Sequence, residues 1–144
     1  MSKAPKFDSY GLIVITRDSR KVLLLYNKKG FWDYPKGKPK NSHERPLATA
    51  LREFKEETGL SPDLITVLSQ DNNTMDYSYP ISKGRMKKVR LFFSEIESEN
   101  GLIFNHDREI QSHLFVSLEQ LVHKMKYTED KELAQRIHQH FAVI

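Results

Sequence analysis

The sequence contains no cysteine, and that absence removes several classes of protein at once. No disulfide framework can form, no thiolate can hold a structural zinc, and no cysteine nucleophile exists. Any metal must be bound by oxygen or imidazole. Long apolar runs are also missing. None approaches the length of a membrane span, and the opening MSKAPKFDSY lacks the apolar core of a secretion signal, so the expected location is the cytoplasm, with no membrane partner. There is no internal repeat, no low-complexity tract and no linker-like stretch, and residues 1–144 are expected to form one domain. A monomer is the default expectation.

What is present is ordinary globular material: 38% hydrophobic and 29% charged residues in a length that buries one core. The formal net charge of +4 suggests an anionic partner, although a modest excess of lysine also suits a solvated surface. Along the chain, YGLIVIT and KVLLLYN read as two buried strands joined by a tight turn at Asp18 and Ser19. The following KKGFWDYPKGKPKNSHERP is rich in glycine, proline and lysine and reads as one long loop, a type of segment that usually has a job. A helix is predicted from Pro46 to Thr58, with proline suited to its first turn, Leu47, Leu51 and Phe54 at helical spacing, and Gly59 closing it. LITVLSQ, MDYSY, KKVRLFFSEI and SHLFVS read as strands. Ser117 and Gln120 have the form of a capping box opening a helix through LEQLVHKM, and a last helix from about Thr128 to Phe141 would pack Leu133, Ile137 and Phe141 inward. This order predicts an α/β sandwich around a mixed β-sheet.

The helix 46–58 carries Glu53, Glu56 and Glu57 on one face, while Leu47, Leu51 and Phe54 centre on another. Like charges at these spacings weaken a helix by a few tenths of a kcal/mol per pair, at about 0.2–0.5. A divalent cation would reverse that sign, since magnesium takes hard oxygen ligands and bridges carboxylates to substrate phosphates. Taken alone, the acids also read as solvated glutamates offset by Arg52 and Lys55.

Arg52-Glu53-Phe54, Glu56-Glu57 and Gly59-Leu60, preceded by Glu44 and the glycine loop YPKGK, resemble the signature of the Nudix hydrolase family. One departure is visible. Gly37 stands one residue before the position at which that signature has glycine, which is Lys38 here, and Ser42-His43 replaces the common proline-glycine before Glu44. The resemblance implies that Glu53, Glu56 and Glu57 bind magnesium or manganese, that Arg52 holds a glutamate in place, and that Glu44 supports the site from behind. It also implies hydrolysis of a nucleoside diphosphate linked to another group.

Outside the signature, WDYPKGK resembles both the asymmetric diadenosine tetraphosphate hydrolases of that family and some of its decapping and RNA pyrophosphohydrolase members, while the tyrosines before a basic stretch in YSYPISKGRMKKVRLFFSEI, and Glu109 followed by Phe115, look like the tetraphosphate hydrolases. Such an enzyme would cut its small nucleotide substrate to ATP and AMP. The basic residues of 36–40 and 83–88 would then line the phosphate path, Lys36 and Lys87 above all. Tyr77 or Tyr79 would stack on adenine, or both would form the half-buried face of a strand with Met75. Glu109 would bind a further metal or act as general base, or would be a plain loop acid. An RNA 5′ pyrophosphohydrolase and a diphosphoinositol polyphosphate hydrolase are the rival enzyme readings, and a nucleotide- or RNA-binding module without activity is the non-enzyme one. The six histidines show no metal-ligand spacing and read as surface residues, and Trp32 reads as an anchor of its loop or a stacking surface.

Overall fold

The runs SYGLIVIT and KVLLLYN form β1 (Ser9–Thr16) and β2 (Lys21–Asn27), and their unbroken apolar character reflects burial of both sheet faces. Ile13 and Ile15 enter one core while Leu12 and Val14 enter the other. These coordinates are a computed structural model that describes residues 7–69 and 73–142. The turn between the two strands is closed by Arg20 in the left-handed region, at φ 56°, and by a 2.8 Å hydrogen bond between the Thr16 and Ser19 hydroxyls.

After the Ile15–Val22 pair the two strands splay. The opening is filled by two short strands from the segment read as a loop: β3 (Trp32–Asp33) pairs with β2, and β4 (Lys36–Gly37) pairs with β1. Two-residue strands leave no periodicity in a sequence, so their existence is a tertiary effect. Trp32 packs on the core and meets Tyr26 edge-on at 5.0 Å, which makes it an anchor of this segment.

β5 (Thr66–Val67), β6 (Thr74–Ser82), β7 (Arg85–Ile96) and β8 (Ile110–Ser117) complete the sheet. β7 lies parallel to β1 along its whole length and antiparallel to β6, while β8 lies antiparallel to β2. The reading of LITVLSQ as a strand is corrected. Leu64 belongs to a single 3₁₀ turn, Pro62–Leu64, started by the Ser61 hydroxyl accepting from the Asp63 N–H, and only Thr66–Val67 pairs; Gln70 lies outside the described residues.

α1 (Pro46–Thr58) covers one face of the sheet through Ala50 and Phe54, and α2 (Leu118–Lys124) with α3 (Thr128–Ala142) covers the other through Leu121, Leu133, Ile137 and Phe141. The result is the α/β/α sandwich that the order of elements predicts. α2 opens with the Ser117 hydroxyl accepting from the Gln120 N–H. α1 has no side-chain cap and starts on Pro46, whose missing N–H costs nothing there. It ends on Gly59, left-handed at φ 76°, whose N–H donates to the Lys55 carbonyl.

Phe54 is fully buried where α1 meets the sheet. Phe54→Ala should lower unfolding stability by about 3–5 kcal/mol, read as a fall in the urea midpoint at unchanged slope. A loss below ~1 kcal/mol would mean that α1 packs less firmly than this burial implies.

Candidate active site

The C-terminal end of α1 organises the site. A helix leaves its last carbonyls without intrahelical partners, and here the chain before β8 supplies donors. The Asn105 N–H donates to the Thr58 carbonyl at 2.8 Å, and His106 Nδ1 meets the Glu57 carbonyl at 3.0 Å. Because a carbonyl only accepts, His106 Nδ1 carries the proton, and Nε2 is hydrogen-bonded to His113 Nδ1 at 2.9 Å. His113 in turn stacks on Phe104 at 3.6 Å. His113 is exposed and His106 half-buried, so the surface reading of the histidines stands, with these two additionally tied to the end of α1. Gly59 permits the docking, since a Cβ there would strike Asn105. The docked segment carries Asp107 and Glu109 up to the glutamates of α1.

Those glutamates are not equivalent. Glu57 is almost fully buried, Glu53 is 17% exposed and Glu56 is half exposed. Burial, with the charges of Glu56, Glu109 and Asp107 added, pushes Glu53 up to about 7 against the pull of Arg52. Burial also pushes Glu57 up to about 9, although it accepts the Lys36 N–H at 3.0 Å. Arg52 has the opposite effect on Glu44. It donates from Nε at 2.7 Å and from Nη2 at 3.0 Å, and with the Lys40 N–H and the Thr49 hydroxyl it holds Glu44 down at about 2. Arg52 also spans Glu56 and the Lys38 carbonyl.

The displaced glycine has a physical reason here. Gly37 lies against the Glu53 side chain, and any Cβ would occupy the carboxylate's place. Toward Arg52, position 38 contributes its carbonyl, which a lysine supplies as well as a glycine.

The carboxylates fit a divalent cation by chemistry: hard oxygen donors without thiolate, two of them raised by burial and by the charges of neighbouring acids. Among the described residues no three acid or imidazole side chains already converge at ligand distance, and Arg52 engages Glu44 and Glu56. Glu53 and Glu57 are the residues best placed to hold such an ion.

Beside this cluster lies a cavity of about 730 Å³. Its lining includes Tyr77 and Tyr79 of β6, stacked at 6.0 Å, and Phe31 and Tyr127 in edge contact at 5.6 Å. Both tyrosines of β6 also pack on the core, as their reading as a half-buried strand face with Met75 expects. Lys29, Lys38, Arg85 and Lys87 line the cavity too. Burial and the nearby charges of Lys36, Lys38 and Lys29 lower the pKa of Lys87.

Lys36 joins the two regions and departs from its expected place. Its N–H serves Glu57, but its ammonium, only 14% exposed, is bound to Asp33 at 2.9 Å and does not present a free phosphate contact. Sequence reasoning missed Asp33, Asp107, Asp130, Phe31 and Tyr127. Asp33 stood inside a segment read for its lysines, and Asp130 reads as an ordinary first-turn acid of α3.

A family model of the NUDIX domain matches residues 6–137. The mRNA-decapping protein g5R of African swine fever virus (isolate Pig/Kenya/KEN-50/1950) is 39% identical over 69 residues, 44% of this chain and 28% of the viral protein. The chain thus spans little more than a quarter of that relative's length. The asymmetrical bis(5′-nucleosyl)-tetraphosphatase of Mus musculus is 29% identical over 119 residues, 81% of this chain and 78% of the mouse protein. Among solved structures, a binary complex of a C. elegans Ap4A hydrolase superposes with a TM-score of 0.78 at 22% identity, covering 96% of this chain and all of that one. At that identity the likeness is one of fold.

In divalent-free buffer the folded chain binds the Glu53 and Glu57 protons more tightly than the unfolded chain, whose glutamates titrate near 4.5. The stability they contribute is full below 4.5 and is lost as pH rises toward about 9. Glu44, held at about 2, acts oppositely: its contribution is present above 4.5 and lost as pH falls through 2. The melting temperature without divalent ions should therefore fall between pH 6 and pH 9, roughly the span over which the buried acids ionise, and magnesium should raise it most at the upper end. A flat profile, or equal gains at every pH, would count against a cation at these carboxylates.

Proposed function

The chain belongs to the NUDIX family, and from that premise we propose that it is a divalent-metal-dependent pyrophosphohydrolase of dinucleoside polyphosphates. Diadenosine tetraphosphate, cut asymmetrically to ATP and AMP, is the reference substrate. The observation that carries this reading is the position of Lys36. Its main chain touches the buried Glu57 and its side chain ends on Asp33 in the aromatic cavity, so a cation-demanding acid cluster and a base-sized slot share one short segment. A nucleotide with a phosphate chain has the matching order of parts.

In this proposal Glu53 and Glu57, with Glu56 and Glu109, hold magnesium or manganese, which when bound screens the phosphate oxygens and activates the attacking water. Arg52 keeps Glu44 and Glu56 in position. Glu109 lies on the docked loop, near enough to Glu53 to affect its proton, and serves as a further ligand or as the base that takes the water's proton. Lys38, Arg85 and Lys87 steer and hold phosphates, and Tyr79 with Tyr77 stacks on a base. The 39% identity to a viral decapping protein, together with the basic cavity rim, favours a second reading in which the same groups act on an RNA 5′ end. A binding module without activity fits less well, because all three helix glutamates are present.

Rates with magnesium should be compared on diadenosine tetraphosphate, 5′-triphosphorylated RNA and a diphosphoinositol phosphate, with products resolved by chromatography. Release of ATP and AMP from the first is expected to dominate; preference for RNA would transfer the proposal to polynucleotide ends. Glu57→Gln keeps the shape and removes the charge, and should cut kcat by about 10²-fold or more in a folded protein. Unchanged turnover there would end the metal assignment. Tyr79→Ala should weaken nucleotide binding by about 1–3 kcal/mol while leaving a diphosphoinositol substrate nearly unaffected.

A further inference from the structure

The cavity is basic around part of its lining, but Asp33, Glu129 and Asp130 also line it. The Asp33 carboxylate, 17% exposed, accepts from the Tyr34 N–H at 2.8 Å and is paired to the buried Lys36 ammonium at 2.9 Å. Asp130 sits close enough for burial and the charge of Asp33 to push it up to about 6. Both acids line the same cavity as Tyr77 and Tyr79, and their charges raise the pKa of both phenols. Tyr34, next to Asp33 in the chain, is buried, and burial with the charges of Asp33 and Asp130 holds its proton on.

The base-reading chemistry of the slot follows from these parts. Aromatic side chains admit any flat base. An ionised carboxylate only accepts hydrogen bonds. Guanine presents two adjacent donors, N1–H and the N2 amino group, which match the two oxygens of a carboxylate. Adenine presents one amino donor next to the N1 lone pair, which such an oxygen repels. We propose that this cavity is a purine site selecting guanine over adenine, with the carboxylates of Asp130 and Asp33 accepting from the N1–H and N2 amino donors. The proposal deepens the hydrolase reading and rests on it for the identity of the cavity as a base site.

The test pairs hydrolysis with binding. Wild type and Asp130→Asn are assayed for kcat/KM on diguanosine and diadenosine tetraphosphates, and for calorimetric binding of GMP and AMP. Wild type should favour guanine by about tenfold or more in both readouts, and Asp130→Asn should reduce that ratio toward one. Equal or better use of adenine by wild type overturns the proposal even if the variant fails to fold. A guanine preference that survives Asp130→Asn unchanged in folded protein overturns the assignment to these carboxylates. Cleavage of both dinucleotides without discrimination removes base selection and leaves the hydrolase reading standing. Tighter GMP binding that depends on Asp130, with neither dinucleotide cleaved, upholds base selection and removes the hydrolase reading.

Discussion

Two carboxylates that would rather be protonated lie at the centre of this molecule. Glu53 and Glu57 are buried on one helix face, and burial combined with the charges of neighbouring acids raises both. Much of the surrounding structure accommodates that cost. The Lys36 N–H is aimed at Glu57, Gly37 leaves room for the Glu53 carboxylate, and Arg52 draws Glu44 and Glu56 into ion pairs. The sequence feature that sets this in motion is the spacing of three acids on a helix whose other face is apolar. The helix is fixed by Phe54 and Ala50 in the core, so the acids cannot move apart to relieve the repulsion.

The sheet brings the remaining groups to that helix. β1 and β2 splay because they pair only next to their turn, and the gap admits β3 and β4. Through that gap a single segment, 33–38, connects the face covered by α1 with the cavity on the side of α2 and α3. Gly59 plays the same part at the other end of the cluster. By lacking a Cβ it lets Asn105 reach the open carbonyls of α1, and Asp107 and Glu109 come with it. A helix cap thus also positions catalytic candidates.

The parts legible in the sequence were those written into contiguous residues. α1 starts at Pro46 and ends before Gly59 because proline and glycine have strong local preferences, and the strands β1, β2, β7 and β8 carry enough aliphatic residues to be recognised. β3, β4 and the shortened β5 were not legible, since pairing of two residues is decided by a neighbour distant in sequence. The same reason hid Asp33 and Asp130. Each looks unremarkable in its own segment, one beside a tryptophan and one in the first turn of a helix, and only the fold brings them together. Lys36 shows the converse, a lysine in a basic run whose charge is committed to a carboxylate that no spacing rule links to phosphate recognition.

The two halves of the site carry opposite electrostatic strain. On the helix, negative groups are crowded until they hold protons they would release in water. At the cavity, Lys87 is crowded by burial and by other lysines until it holds its proton less tightly than usual. A cation alone relieves the first and an anion alone relieves the second. On the proposed function, a metal–polyphosphate complex would relieve both at once. Affinity for such a complex would then exceed what either charge gains separately, because each half of the site would be completed by the half of the ligand that the other one repels. Substrate choice would be left to the groups beyond the phosphates, where aromatic side chains and carboxylates would decide which base can enter.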